Sequence, residues 1–319
     1  MVATLKKASG LRRLQPCRTV ILYRLSGRAH GSGRLALHVF FPLCLLFGGL
    51  AQAADQGLLW KLEAPSGKVS YLFGTMHSDD KRINAFSPVL EQALAESDVF
   101  FMETLPPNDP SIFMMPEGFV LSEMLTEKEF DKVRALADFH SMHIEAAMRM
   151  KPWLLAVIFD LPKPQTPYAQ DVQLMTKAQD SAKEVQGLET TTEHFASLDS
   201  LTMEEQLLML RAVLKRTQKQ KERDFEALLK AYIQGDTAKI SELDNRITGG
   251  ILPKALWEKM RVMLLDERNI NMAGRLAGAA SERPVFAAVG ASHLAGKGGL
   301  VSRMLDAGFK VTPVSHALK

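Results

Sequence analysis

Cysteine is scarce: the chain has two, Cys17 and Cys44, and none after residue 44. A protein starting near residue 54 could therefore form no disulfide and no thiolate metal site. Acidic side chains are missing from the first 53 positions, which carry Lys6, Lys7, Arg12, Arg13, Arg18, Arg24, Arg28 and Arg34. The apolar run from Leu35 to Leu50 is short and contains His38 and Pro42, whereas a membrane span needs about 20 residues. No Gly-x-Ser-x-Gly elbow is present, which argues against a serine-hydrolase triad. No His-Glu-x-x-His pattern accompanies His140 and His143, which are expected on a solvated or interfacial helix face.

The basic stretch, the apolar run and Ala51-Gln52-Ala53 together have the layout of a secretory signal, with cleavage expected after Ala53. An uncleaved anchor is the alternative. Of 39 basic side chains eight lie in this segment, leaving 31 against 36 acidic ones, or about −5 for residues 54–319. The basic pI thus belongs largely to the signal, and no nucleic-acid footprint remains. The expected location is the periplasm or the exterior, with no stable membrane span after cleavage.

Leu58–Leu62 and Val69–Phe73 flank a Pro/Gly turn and predict a β-hairpin. A helix over Pro88–Glu96 and an apolar strand over Asp98–Met102 follow, giving a βαβ unit and a parallel sheet. Helical patterns are predicted over about 122–150, 153–161 and 169–181, with a short strand over 183–188. One long helix is expected from Thr202 to about Ala231, with Lys215, Arg216, Lys219, Lys221 and Arg223 on a solvated face. Helices continue to Ala280, then strands form at Pro284–Val289 and Phe309–Val314. The fold class is therefore α/β: a sheet built from both ends of the chain, in one domain over 54–319, with a large, mostly helical insertion over about 112–280.

Four ionisable residues follow or end predicted strands: His77, Glu103, Glu189 and His293. In parallel sheets that edge is where sites form. His77 and His293 close two Gly-x-x-His turns, Gly74-Thr75-Met76-His77 and Gly290-Ala291-Ser292-His293, whose glycines are expected to let the backbone turn tightly. Two imidazoles with one or two carboxylates suit a hydrolytic site for Zn, Mn or Co. Helix caps or buried, hydrogen-bonded histidines would also explain the two turns. His194 and His316 are not expected in a site.

These residues carry a resemblance to the TraB/GumN family, which also includes the Tiki proteins. Its pieces are Tyr71–His77, Phe101-Met102-Glu103, Lys151-Pro152-Trp153, Asp171, Gln186–Thr190, Glu267-Arg268-Asn269 with Met272, and Val289–Leu294 with Gly296, Gly299, Leu300 and Gly308. The resemblance implies an erythromycin-esterase/ChaN-like sheet and a divalent metal held by His77, Glu103 and His293. Animal Tiki members are metal-dependent peptidases preferring Mn or Co, so the expectation is a metal-dependent hydrolase acting on a peptide or protein. Glu189 is the expected general base or further ligand, Arg268 the oxyanion donor or a carboxylate clamp, and Asn269 a residue that orients a ligand. The alternative is a non-catalytic binder of metal, haem or peptide.

Overall fold

The computed structural model describes residues 56–316, so the expected signal lies outside the described residues. The sequence of elements begins with the hairpin. Strands β1 (Leu59–Glu63) and β2 (Val69–Thr75) pair antiparallel, Leu59 opposite Phe73 and Glu63 opposite Val69. Their turn closes through Gly67 N–H to Ala64 O at 2.8 Å, with Gly67 at φ +85°, a conformation that costs glycine little. Helix α1 (Pro88–Ala95) starts at a Ser87 cap and leads to β3 (Val99–Thr104).

The middle of the chain holds α2 (Glu127–Phe139), α3 (Ile144–Ala147), α4 (Pro152–Asp160), α5 (Gln170–Asp180), strand β4 (Glu184–Glu189) and α6 (Thr191–Asp199). Helices α7 (Met203–Leu214), α8 (Gln218–Ile233), α9 (Thr237–Ile251) and α10 (Lys254–Arg261) follow. A π-helical turn, Val262–Asp266, runs into α11 (Glu267–Glu282). Then come β5 (Val285–Gly290), a 3-10 turn over Ala291–His293, α12 (Leu300–Asp306) and β6 (Lys310–Val314).

The six strands form one mixed sheet in the order β4-β3-β5-β2-β1-β6. β4, β3, β5 and β2 are mutually parallel, and β1 alone runs against its neighbours. The C-terminal β5 thus inserts between β2 and β3, so both ends of the chain build the sheet. Being flanked on both edges, β5 is apolar throughout (Val-Phe-Ala-Ala-Val), as a strand buried on both faces must be.

Side chains alternate between two cores. Phe73, Phe100 and Phe286 face α1, α5 and α8, while Leu72, Val99, Ala287 and Val289 face α11 and α12. Phe286 is fully buried, stacked on Phe100 at 5.9 Å, and truncating it to Ala would cost about 3–5 kcal/mol. A third core is purely helical, built around Trp153, Leu155, Phe159, Leu210 and Leu256. Within 112–280, then, β4, α5, α8, α9 and α11 belong to the layers of the sheet, and most of the remaining helices pack on one another.

Two helical expectations fail in detail. The region 122–150 is broken: α2 ends at Phe139, and Ser141 takes φ +59° before the short α3. The single helix over 202–231 is two, because Thr217 caps α8 reciprocally with Gln220 and ends the run from α7. The basic face there is not all solvated. The Arg216 side chain is buried between Asp160 and Asp224, and buried Lys221 donates to Phe159 O at 2.7 Å.

Candidate functional site

The carboxyl ends of the four parallel strands bring together residues from across the chain. Thr75 at the end of β2 lies opposite Gly290 at the end of β5, and Thr104 of β3 lies opposite Glu189 of β4. Two residues past β2 stands His77, three past β5 stands His293, and Glu103 and Glu189 occupy the ends of β3 and β4. A cleft of about 500 Å³ is lined by His77, Glu103, Asp171, His194 and Gly290, with Trp153 and Phe195 on its wall.

The glycines of the two turns act through close approach rather than through a special backbone angle. A Cβ on Gly74 would lie 2.6 Å from Leu294 Cδ1 and 3.2 Å from Ala291 Cα, so this glycine lets the turn after β5 pack on β2. A Cβ on Gly290 would come within 3.1 Å of Glu103 Oε1. The Gly290 N–H instead donates to that oxygen at 2.6 Å.

The loop after β2 is held by the start of α5. Buried Gln170 accepts from Met76 N–H at 3.0 Å through Oε1, which also accepts from Tyr232 Oη at 2.7 Å, and its amide donates to Ile83 O. The next residue, Asp171, faces His77 Nδ1 at 3.1 Å. His77 is 71 % exposed, and the hydrogen bond to Asp171 raises its pKa despite partial desolvation. With Nδ1–H donated to Asp171, the Nε2 lone pair is left free.

His293 has the same arrangement in a buried setting. Asn269 Nδ2 donates to Gly298 O at 2.9 Å, which fixes the amide so that its Oδ1 faces His293 Nδ1 at 2.7 Å. Nδ1 therefore carries the proton, and Nε2 presents a lone pair 3.7 Å from Glu103 Oε1. Burial lowers the His293 pKa, against the pull of Glu103. For Glu103 burial opposes ionisation, but the His293, Arg268 and His194 side chains and the Gly290 N–H outweigh it and hold the carboxyl well below its ordinary range.

Arg268, at the start of α11, ties the other side together. Its Nη2 donates to Glu103 Oε2 at 2.5 Å and to Glu189 Oε2 at 2.6 Å, and Nε donates to both Glu189 oxygens. Nη2 also lies 2.9 Å from His194 Nδ1, and Nη1 donates to Leu264 O inside the π-helical turn. Glu189 is 2 % exposed, and there too the neighbours His194 and Arg268 outweigh burial and lower its pKa.

Glu103, Glu189 and His194 each bring one ligand atom within 4.8 Å of the others, a buried to half-buried cluster capable of coordinating a metal ion. His194 was not expected there. Its position follows from a reciprocal cap between Thr190 and Glu193, which starts α6 directly after β4 and turns the next residue back to the strand end. Thr190-x-x-Glu193 reads as a helix start in the sequence, but that this start sets His194 beside Glu189 depends on β4 ending directly before it. His140 packs between Phe139 and Phe159, in keeping with an interfacial residue.

The model of the TraB/PrgY/gumN family matches residues 58–313. The chain belongs to the TraB/PrgY/gumN family. No curated protein is matched by the sequence. The match covers every strand except the last residue of β6, and so takes in both Gly-x-x-His turns and the Glu103, Glu189, Arg268 and Asn269 positions of this TraB/PrgY/gumN member. No helix among the described residues is long and apolar enough to cross a membrane.

Proposed function

We propose that this TraB/PrgY/gumN protein is a metal-dependent hydrolase acting on peptides, with His77, His293 and Glu103 as the metal ligands. The observation that carries the reading is the paired orientation of the two imidazoles. Each gives its Nδ1–H to a side-chain oxygen, Asp171 or Asn269, so that Nε2 is the acceptor nitrogen; on His293 it faces Arg268 Nη1 at 3.4 Å, a contact an ion on this nitrogen would replace. Metal-bound histidines are held in this way, the outer acceptor fixing tautomer and ring orientation. His293 Nε2 and Glu103 Oε1, two acceptors facing each other at 3.7 Å, fit a shared cation, since ligand atoms about 2.0–2.2 Å from one tetrahedral ion are separated by about 3.4 Å. The sheet would then be of the erythromycin-esterase/ChaN-like kind.

A bound divalent ion would supply Lewis acidity and a water acidified toward neutrality. The chain's own residues do the rest. Arg268 holds Glu103 through Oε2, leaving Oε1 for the ion. Glu189, with both oxygens on Arg268, anchors that guanidinium instead of serving as the general base. His194, on the cleft wall, is the better placed proton acceptor. Asn269 orients His293, and Trp153 and Phe195 narrow the cleft against water. Ser292 is committed to Asp244 and has no nucleophilic role.

A second ligand set, Glu103, Glu189 and His194, is favoured by its short separations. It requires Arg268 Nη2, which now touches all three, to withdraw. Both readings place the protein outside the cytoplasm through the segment 1–53. The test is a peptide-library cleavage assay with added Mn or Co on wild type, His77→Ala and His194→Ala. Cleavage lost in His77→Ala supports the first set; cleavage lost only in His194→Ala supports the second. No cleavage by wild type, with metal bound, would leave a non-catalytic metal or peptide binder.

A further inference from the structure

Behind the turn that carries His293 lies a second, open cavity, of about 360 Å³, bordered by α4, α6, α7, α9, α10 and the π-helical turn. Its wall is mostly apolar, with Leu252, Trp257, Met260 and Leu264 prominent. Val157 and Leu198 line both this cavity and the cleft of His77 and Glu103, so the two are neighbours. Charged groups on its wall are already matched, Asp160 with Arg216 and Arg261 with Asp266. Asp244 is the exception.

Asp244 projects from α9 between this cavity and a smaller one of about 170 Å³ bordered by His77. Among the described residues its carboxylate accepts from the Ser292 hydroxyl alone and has no charged side chain acting on it. Burial raises its pKa, with the Ser292 bond opposing. A half-buried carboxylate without a counter-charge is stabilised either by taking up a proton or by a cation brought against it. Here no such cation comes from the fold, and the carboxylate opens onto an apolar cavity.

We infer that Asp244 and this cavity form a subsite for an aliphatic chain ending in a cation, such as a lysine side chain of a peptide. The apolar wall takes the methylene stem and Asp244, braced by Ser292, takes the ammonium. Ser292 directly precedes His293, their Cα atoms being about 3.8 Å apart across a trans peptide. A lysine seated there would lie within a residue or so of a peptide bond held at His293. That placement rests on the hydrolase reading; the preference for a cationic chain does not.

The test uses the full chain and two probes of equal length, n-hexylamine and n-hexanol, titrated calorimetrically at pH 7.5 into wild type, Asp244→Asn and the His77→Ala/His293→Ala double variant. The expected result is at least about tenfold tighter binding of the amine to wild type and to the double variant, with the difference lost in Asp244→Asn. Asn keeps the shape and can still accept from Ser292, so the variant tests charge rather than folding. Equal binding of amine and alcohol, or an amine preference that survives Asp244→Asn, would overturn the subsite. Because the probes are not cleaved and the double variant lacks both histidines, failure of the hydrolase reading would show separately as absent peptide cleavage.

Discussion

Asn269 Oδ1 lies 2.7 Å from His293 Nδ1, and the other end of the same amide donates to Gly298 O. This one relationship sets the tautomer of a buried histidine and turns its Nε2 toward Glu103 Oε1 and Arg268 Nη1. Outer acceptors of this kind typically change metal affinity by about 10–100-fold when removed. Asn269→Ala is therefore expected to weaken Mn or Co binding by that factor. Circular dichroism should stay unchanged, and competition with a chelator of known affinity measures the loss. Asp171→Ala is expected to act likewise through His77.

Arg268 stands between two carboxylates, one of them almost wholly buried. Removing it leaves Glu189 as an uncompensated buried charge, a change that costs about 3–5 kcal/mol. Urea unfolding of Arg268→Met should show a loss of that order. Pairing it with Glu189→Leu should recover a large part, because the stranded charge is then gone.

Gly74→Ala places a methyl against Leu294 Cδ1 and the Ala291 backbone. Overpacking of this kind costs about 1–3 kcal/mol. Gly290→Ala meets Glu103 Oε1 instead and is expected to lower metal loading more than stability. Denaturation midpoints and metal content, measured side by side on both variants, separate the two effects.

The pH dependence follows from the burial of His293. Burial holds its folded pKa below the unfolded value of about 6.5, so on acidification the unfolded chain takes up the proton first. Its contribution is complete above about pH 6.5 and is lost progressively as the pH falls toward the folded pKa. The stability difference between wild type and His293→Gln should accordingly shrink below pH 6.5. His77 works in the opposite sense: its pKa is raised by Asp171, and the stabilisation present below about 6.5 fades as the pH rises through the folded value. Glu189, lowered by His194 and Arg268, adds a separate loss below about pH 4.3. Thermal melts from about pH 2 to 8 resolve these stages.

Much of the fold was legible because the strands are short apolar runs bounded by turn chemistry, and β5 reads as buried on both faces. The convergence of His77, Glu103, Glu189 and His293 on one edge was legible for the same reason: parallel strands end together. Three things were not. The break at Thr217 was hidden because helical periodicity continues through it and only the Thr217–Gln220 cap marks the stop. Buried Arg216 and Lys221 look like solvated charges until Asp160, Asp224 and Phe159 O come from elsewhere in the chain. Asp171 and Asn269, which orient the imidazoles, are 94 and 24 positions from the histidines they serve, so only the family resemblance pointed to them, and which histidine each one serves was beyond the reach of local spacing.

The most direct measurement is metal content by mass spectrometry on protein purified without a polyhistidine tag, for wild type and the His77→Ala/His293→Ala double variant. About one Mn, Co or Zn per chain in wild type, lost in the variant, is the expected result. Wild type without metal even after reconstitution, or a double variant that keeps its ion, would contradict a centre built on the two Gly-x-x-His turns.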